Sequence, residues 1–109
     1  MNRTVFFLTP TLFPLGNSGQ LEHWARILAA DGWRVIVGVL QGPPGEDQQV
    51  RFPGVELRWF GIRSREWSGW SRLVAELERL RPDVLHFWDC SEAVYRWTRR
   101  FAEIGRAHV

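Results

Sequence analysis

Lysine is absent from this chain, so every one of its basic residues is an arginine. The formal net charge is only +2, too small a surplus to argue for a polyanionic partner. The arginine clusters, Arg63/Arg65 and Arg96/Arg99/Arg100, are not ranged along one face with interleaved aromatics, as a nucleic-acid groove requires. They read as solvated helix and loop faces, and no nucleic-acid partner is expected. Cysteine is nearly absent too. Cys90 stands alone, which rules out an internal disulfide and suits a reducing compartment. With three widely spaced histidines beside that one cysteine, no metal site and no cofactor can be argued. No apolar run approaches the roughly eighteen residues of a membrane span. Arg3 ahead of the apolar stretch Val5 to Leu15 faintly suggests a signal peptide, but Pro10 and Pro14 interrupt it and no small-residue cleavage site follows. A cytoplasmic protein is expected. The familiar nucleotide fingerprints are missing as well. There is no GxGxxG, no GxxxxGK[ST], and no acidic pair at the end of the first apolar run, which disfavours an ordinary dinucleotide-binding domain, a P-loop protein and a phosphate-accepting receiver.

What is present is an alternation of two periodicities. Thr4 to Thr9 (TVFFLT) and Arg34 to Leu40 (RVIVGVL) are short, continuous apolar runs rich in β-formers, the signature of strands covered on both faces. Val55 to Phe60 alternates less cleanly and is expected near a sheet edge. Asp83 to Trp88 predicts a fourth strand, and Ala107 to Val109 the start of a fifth. Between them, Leu21, Trp24, Ala25 and Leu28 predict one helix, with Asn17 as N-cap and Gly32 as the left-handed C-terminal residue. Trp70, Leu73, Val74, Leu77 and Leu80 predict a second, carrying an Arg72–Glu76 pair on its outer face and stopped by Pro82. Ser91 to Ile104 predicts a third. Residues 41–54 read as a polar loop with at most one helical turn, at Asp47 to Phe52. Strands alternating with amphipathic helices imply right-handed crossovers and an α/β, Rossmann-like open parallel sheet with flanking helices. The chain stops where another strand begins, so it is expected to be part of something longer.

In such a sheet ligands bind beyond the carboxyl ends of the strands, at the switch point of strand order. Two segments fall there. In the first, Pro10 to Gly19, Gly16 lets backbone approach a ligand closely, and the helix opening at Asn17 offers free N–H groups to an anion. A turn that simply needs Gly and Asn explains the same residues equally well. The second is the end of the fourth strand, His86-Phe87-Trp88-Asp89. A histidine–carboxylate pair there can move protons or hold sugar hydroxyls, while a core histidine with one hydrogen bond is the plainer reading. Of the seven tryptophans, Trp24, Trp70 and Trp97 lie on helical stripes and read as core. Trp67 and Trp88 lie near the ligand edge, where an aromatic face can stack on a sugar or simply pack.

Five stretches carry a resemblance: Phe6-Phe7-Leu8-Thr9-Pro10, Asn17 to Leu21 (NSGQL), Trp24 to Val35 (WARILAADGWRV), Gly54 to Leu57, and above all Leu77 to His86 (LERLRPDVLH). Over nearly its whole length the chain resembles the glycosyltransferase subfamily 4-like N-terminal domain. The resemblance implies a GT-B enzyme, in which two Rossmann-like halves enclose the active site. The N-terminal half, here residues 1–109 in part, faces the acceptor. A C-terminal half with an E-x7-E motif binds the nucleotide diphosphosugar and is not in this sequence. The resemblance further implies that Gly16, with Asn17, matches the second glycine of the pair lying against the donor diphosphate, with Leu15 in place of the first. It places His86, Trp88 and Asp89 on the acceptor side of the cleft. His86 matches the first histidine of a V-H-x-H strand end, Trp88 stands where the second often stands, and Trp33 replaces the histidine of G-H-x-V. No catalytic residue is assigned. The partners implied are a nucleotide sugar, a glycan or lipid-linked acceptor, and the missing C-terminal domain, with peripheral membrane contact compatible with the lipid-linked case. The reaction implied is hexosyl transfer to an acceptor hydroxyl with retention, and the isolated piece is expected to be inactive. A free-standing Rossmann-like module for sugar or nucleotide binding, or for docking another chain, is the alternative.

Overall fold

A computed structural model describes residues 3–12, 17–41, 51–62, 67–88 and 107–108. The elements run β1 (Thr4–Thr9), α1 (Asn17–Ala30), β2 (Arg34–Val39), β3 (Val55–Trp59), α2 (Trp67–Leu80), β4 (Val84–Phe87) and β5 (Ala107–His108). The strands form one sheet in the order β3-β2-β1-β4-β5, and every pairing is parallel. This is the Rossmann-like arrangement, with the reversal of strand order between β1 and β4. The expected third helix, at 91–104, and most of the 41–54 loop lie outside the described residues, although Arg51 is helical.

The two apolar runs are central strands, as their composition demands. All but the first residue of both β1 and β2 is buried. β3 is an outer strand, buried at Val55 and half-buried from Glu56 to Trp59, which explains its weaker alternation. Strand parity divides the core. Phe6, Leu8, Ile36 and Leu85 face α2, where Trp70, Leu73 and Leu77 close over them. Val5, Phe7, Val35, Val37, Val39 and Val55 face α1, where Leu21 and Ala25 meet them together with Phe52. On the α2 side the fit is close: a Cβ added at Gly38 would lie 2.6 Å from the Phe6 ring and 3.1 Å from that of Phe60.

The helix ends follow the local signals. α1 stops in a Schellman arrangement, with Trp33 N–H donating to Leu28 C=O (3.0 Å) and Gly32 N–H to Ala29 C=O (3.2 Å). Gly32 sits at φ 92°, open to a residue without Cβ. α2 ends before Pro82, but there Arg81 takes the left-handed conformation, at φ 46°. Asn17 is the first helical residue of α1 rather than its N-cap, a shift of one position that is ordinary at a helix terminus.

Two side-chain expectations are corrected. Trp24 is not core: it is 51% exposed and Ile27 44%. The stripe Leu21, Ala25 and Leu28 is turned toward the segment around Phe52 and Gly54, so that Ala29 lies against Gly54 and Glu22 against Arg51 (2.6 Å). Trp24 is thereby left on the open flank. Glu76 does not pair with Arg72. It meets Arg79 (2.7 Å) and Arg58 (3.3 Å) instead. Arg72 reaches the end of the outer strand, donating to the Trp59 carbonyl (3.0 Å) with its guanidinium 5.7 Å from the Phe60 ring. A strand-end carbonyl at a sheet edge lacks a neighbouring strand and accepts a side-chain donor in its place. Among the described residues no helix is long and apolar enough to cross a membrane.

Candidate functional site

The switch point lies where β1 and β4 run side by side, with Phe7 registered on His86 and Leu8 on Phe87. Trp88 prolongs that ladder by one residue, its N–H donating to Leu8 C=O (2.8 Å). His86 and Trp88, two apart, project to the same side of the sheet, the α1 side, and both are half-buried.

Their rings form one cluster. The His86 imidazole lies 5.2 Å from the Phe7 ring and 5.4 Å from Trp88, tilted at 41° and 35°. Phe7 and Trp88 meet edge-on at 6.2 Å and 76°. Burial among these rings pushes the imidazole below its ordinary pKa of 6.5, so His86 is neutral at neutral pH. A neutral imidazole both donates and accepts a hydrogen bond. No hydrogen bond to it from another described residue is formed. An imidazole that no other described residue hydrogen-bonds, set beside a tilted indole, has the means to hold a hydroxyl-bearing ring by stacking and hydrogen bonding together. Among the described residues no group of three or more His, Cys, Asp or Glu side chains could hold a metal ion.

Gly16 and Asp89 lie outside the described residues, and of Asn17 only the helical backbone is described. Trp33 sits at the opposite end of the sheet, before β2, with Arg3 5.8 Å over its ring. Phe7 was missed as a site residue. Its signal is positional, because only the β1–β4 register puts it under His86. Also unforeseen is an open groove of about 910 Å³ along α1, between Glu22, His23, Arg26 and Ala29 on one side and Pro53 and Gly54 on the other. It shares no lining residue with the aromatic cluster.

The sequence model of Glycosyltransferase Family 4 matches residues 20–109. The chain belongs to glycosyltransferase family 4. No curated protein and no solved structure matches it. The family match takes in His86, Trp88 and the whole of LERLRPDVLH, and begins after β1 and after Gly16 and Asn17. This glycosyltransferase-family domain therefore has its switch-point cluster built from one strand inside the matched range, β4, and one before it, β1.

Proposed function

We propose that this domain is the acceptor-side, N-terminal Rossmann-like half of a two-domain GT-B glycosyltransferase. The carrying observation is the family match over residues 20–109, and the open parallel sheet with its switch point between β1 and β4 supports it. The reaction is transfer of a hexosyl group from a nucleotide diphosphosugar to an acceptor hydroxyl, with retention. The acceptor oxygen bonds to the anomeric carbon, the bond from that carbon to the diphosphate oxygen breaks, and the hydroxyl proton leaves with the diphosphate. Gly16 and Asn17 lie at the donor diphosphate, where a helix N-terminus favours the anion. His86, Trp88 and Asp89 line the acceptor side. The neutral imidazole of His86 hydrogen-bonds an acceptor hydroxyl, and the Trp88 face orients its ring. The second Rossmann-like domain supplies most of the nucleotide contacts, so residues 1–109 alone are inactive. The acceptor is a glycan or a lipid-linked sugar, met in the cytoplasm or at the membrane surface.

Calorimetric titration of the chain with UDP, GDP and their sugars tests this reading. No binding at micromolar nucleotide is expected, while NMR titration with neutral oligosaccharides should shift the Trp88 indole and His86 ring resonances. Tight nucleotide binding by these residues alone would overturn it in favour of a self-sufficient binding module.

A further inference from the structure

β3 is an outer strand, and its backbone alternation is fixed at three points. Phe60 N–H donates to Val39 C=O (3.0 Å). In a parallel ladder residues of one parity turn both backbone groups to the same neighbour. Glu56 and Arg58 therefore face β2, and Leu57 faces away from it. The strand ends agree: Val55 N–H donates to Phe52 C=O (3.1 Å), and Trp59 C=O accepts from Arg72 (3.0 Å), both on the outer side. Leu57, at the middle of the strand, thus presents its N–H and C=O outward, where no described strand pairs with it.

We infer that β3 pairs antiparallel with β3 of a second copy of this chain, about a two-fold axis through Leu57. In that register Leu57 exchanges both backbone hydrogen bonds with its counterpart. Glu56 stands opposite Arg58 of the other copy, twice, on the α2 face. Val55 stands opposite Trp59, a β-branched–aromatic pair, on the α1 face. Opposite charges and such apolar pairs favour each other directly across strands. The two outward groups already engaged, the Val55 N–H and the Trp59 C=O, are those that this register sets face to face. The two copies meet without stranding either group. Sliding by two residues one way sets Glu56 against Glu56, and the other way Arg58 against Arg58. Charges on an outer strand ordinarily deter pairing. Here their order deters every neighbouring register and permits one, and the interface is self-complementary, as a two-fold contact must be.

Sedimentation velocity of the whole chain over a concentration series is the test, with circular dichroism to confirm that each variant folds. A reversible dimer is expected. Glu56→Arg, which makes both cross-strand pairs repulsive, should weaken it about tenfold or more. Adding Arg58→Glu should restore the affinity. Leu57→Pro takes the outward N–H away without removing a hydrogen bond from the β2–β3 ladder, at the cost of a half-buried side chain, and should abolish the dimer while circular dichroism shows the fold retained. If Glu56→Arg does not fold, Arg58→Glu alone sets carboxylate against carboxylate and gives the same readout. A monomer at every concentration, a dimer indifferent to the single charge change, or a double variant no tighter than the single one would each overturn the proposal.

Discussion

The two faces of the sheet are built from the same strands yet finish differently. On the α2 face the core closes, and among the described residues Leu80 and Phe87 are the half-buried apolar side chains packed against it. Outside it, toward β3, runs a ladder of alternating charge. Arg34 meets Glu56 at 2.7 Å, Glu56 meets Arg58 at 3.2 Å, and Arg58 and Arg79 share Glu76. On the α1 face a wide half-buried rim (Leu28, Trp33, Leu57, Trp59, Val84 and Trp88) surrounds the core, and Trp24 and Ile27 stand clear of it. One face is finished by apolar packing and ion pairs. The other keeps aromatic and imidazole surface partly in water, and it holds the His86–Trp88 cluster. Closed packing serves stability, whereas surface left open is what a ligand can use.

Substitutions should expose this asymmetry. Leu77→Ala, deep in the α2 face, should cost about 3 kcal/mol in a urea titration, a large share of what a domain this small possesses. Gly38→Ala should cost about 2 kcal/mol, because the new methyl meets the rings of Phe6 and Phe60. The faces should also separate by pH. Burial lowers the pKa of His86, so the unfolded chain takes up its proton first. The stability tied to neutral His86 is complete above its ordinary value of 6.5 and falls as pH drops from there toward the folded value. Glu56 and Glu76 are held below their ordinary 4.5, chiefly by hydrogen bonds from Arg34 and Arg79 respectively. Their contribution is complete above 4.5 and is lost as pH falls through the depressed values. Urea midpoints should therefore decline in two steps. His86→Phe should remove the upper step, and Glu56→Gln with Glu76→Gln the lower. The two helix ends differ as well. Arg81→Gly should raise stability by about 0.5 kcal/mol by relieving a left-handed non-glycine residue. Smallest of all, Trp24→Ala should change stability by under about 0.5 kcal/mol despite the size of the side chain. A larger loss would mean that the open flank is closed in solution.

Features encoded within a few residues were legible in the sequence. The runs around Phe6 and Val37 announced buried parallel strands, Gly32 and Pro82 marked helix ends, and the ragged alternation of β3 placed it at an edge. Features decided between distant segments were not. Trp24 sits on the same helical repeat as Leu21 and Leu28, and nothing local says that α1 is rolled toward Phe52 and Gly54. Arg72 has Glu76 at the spacing of a helix pair, but the Trp59 carbonyl and the nearer Arg58 and Arg79 redirect both partners. At the candidate site, parity along β4 already puts His86 and Trp88 on one side. Which side, and that Phe7 lies beneath them, depends on a register joining residues far apart in the chain.

One small contact bears on how the protein is made. At the start of β1, Thr4 N–H donates to the Asp83 carboxylate (2.7 Å), and Asp83 N–H donates back to Thr4 C=O (2.8 Å), across 79 positions of sequence. During synthesis β1, α1, β2 and β3 can assemble as soon as they leave the ribosome. The inner edge of β1, lined by Phe6 and Leu8, must then wait uncovered until β4 has been translated. At ordinary elongation rates, about 5–20 residues per second, that is a wait of seconds. The central strand of the sheet is thus the first made and among the last sealed, and the nascent chain is most vulnerable to misassociation at its own middle.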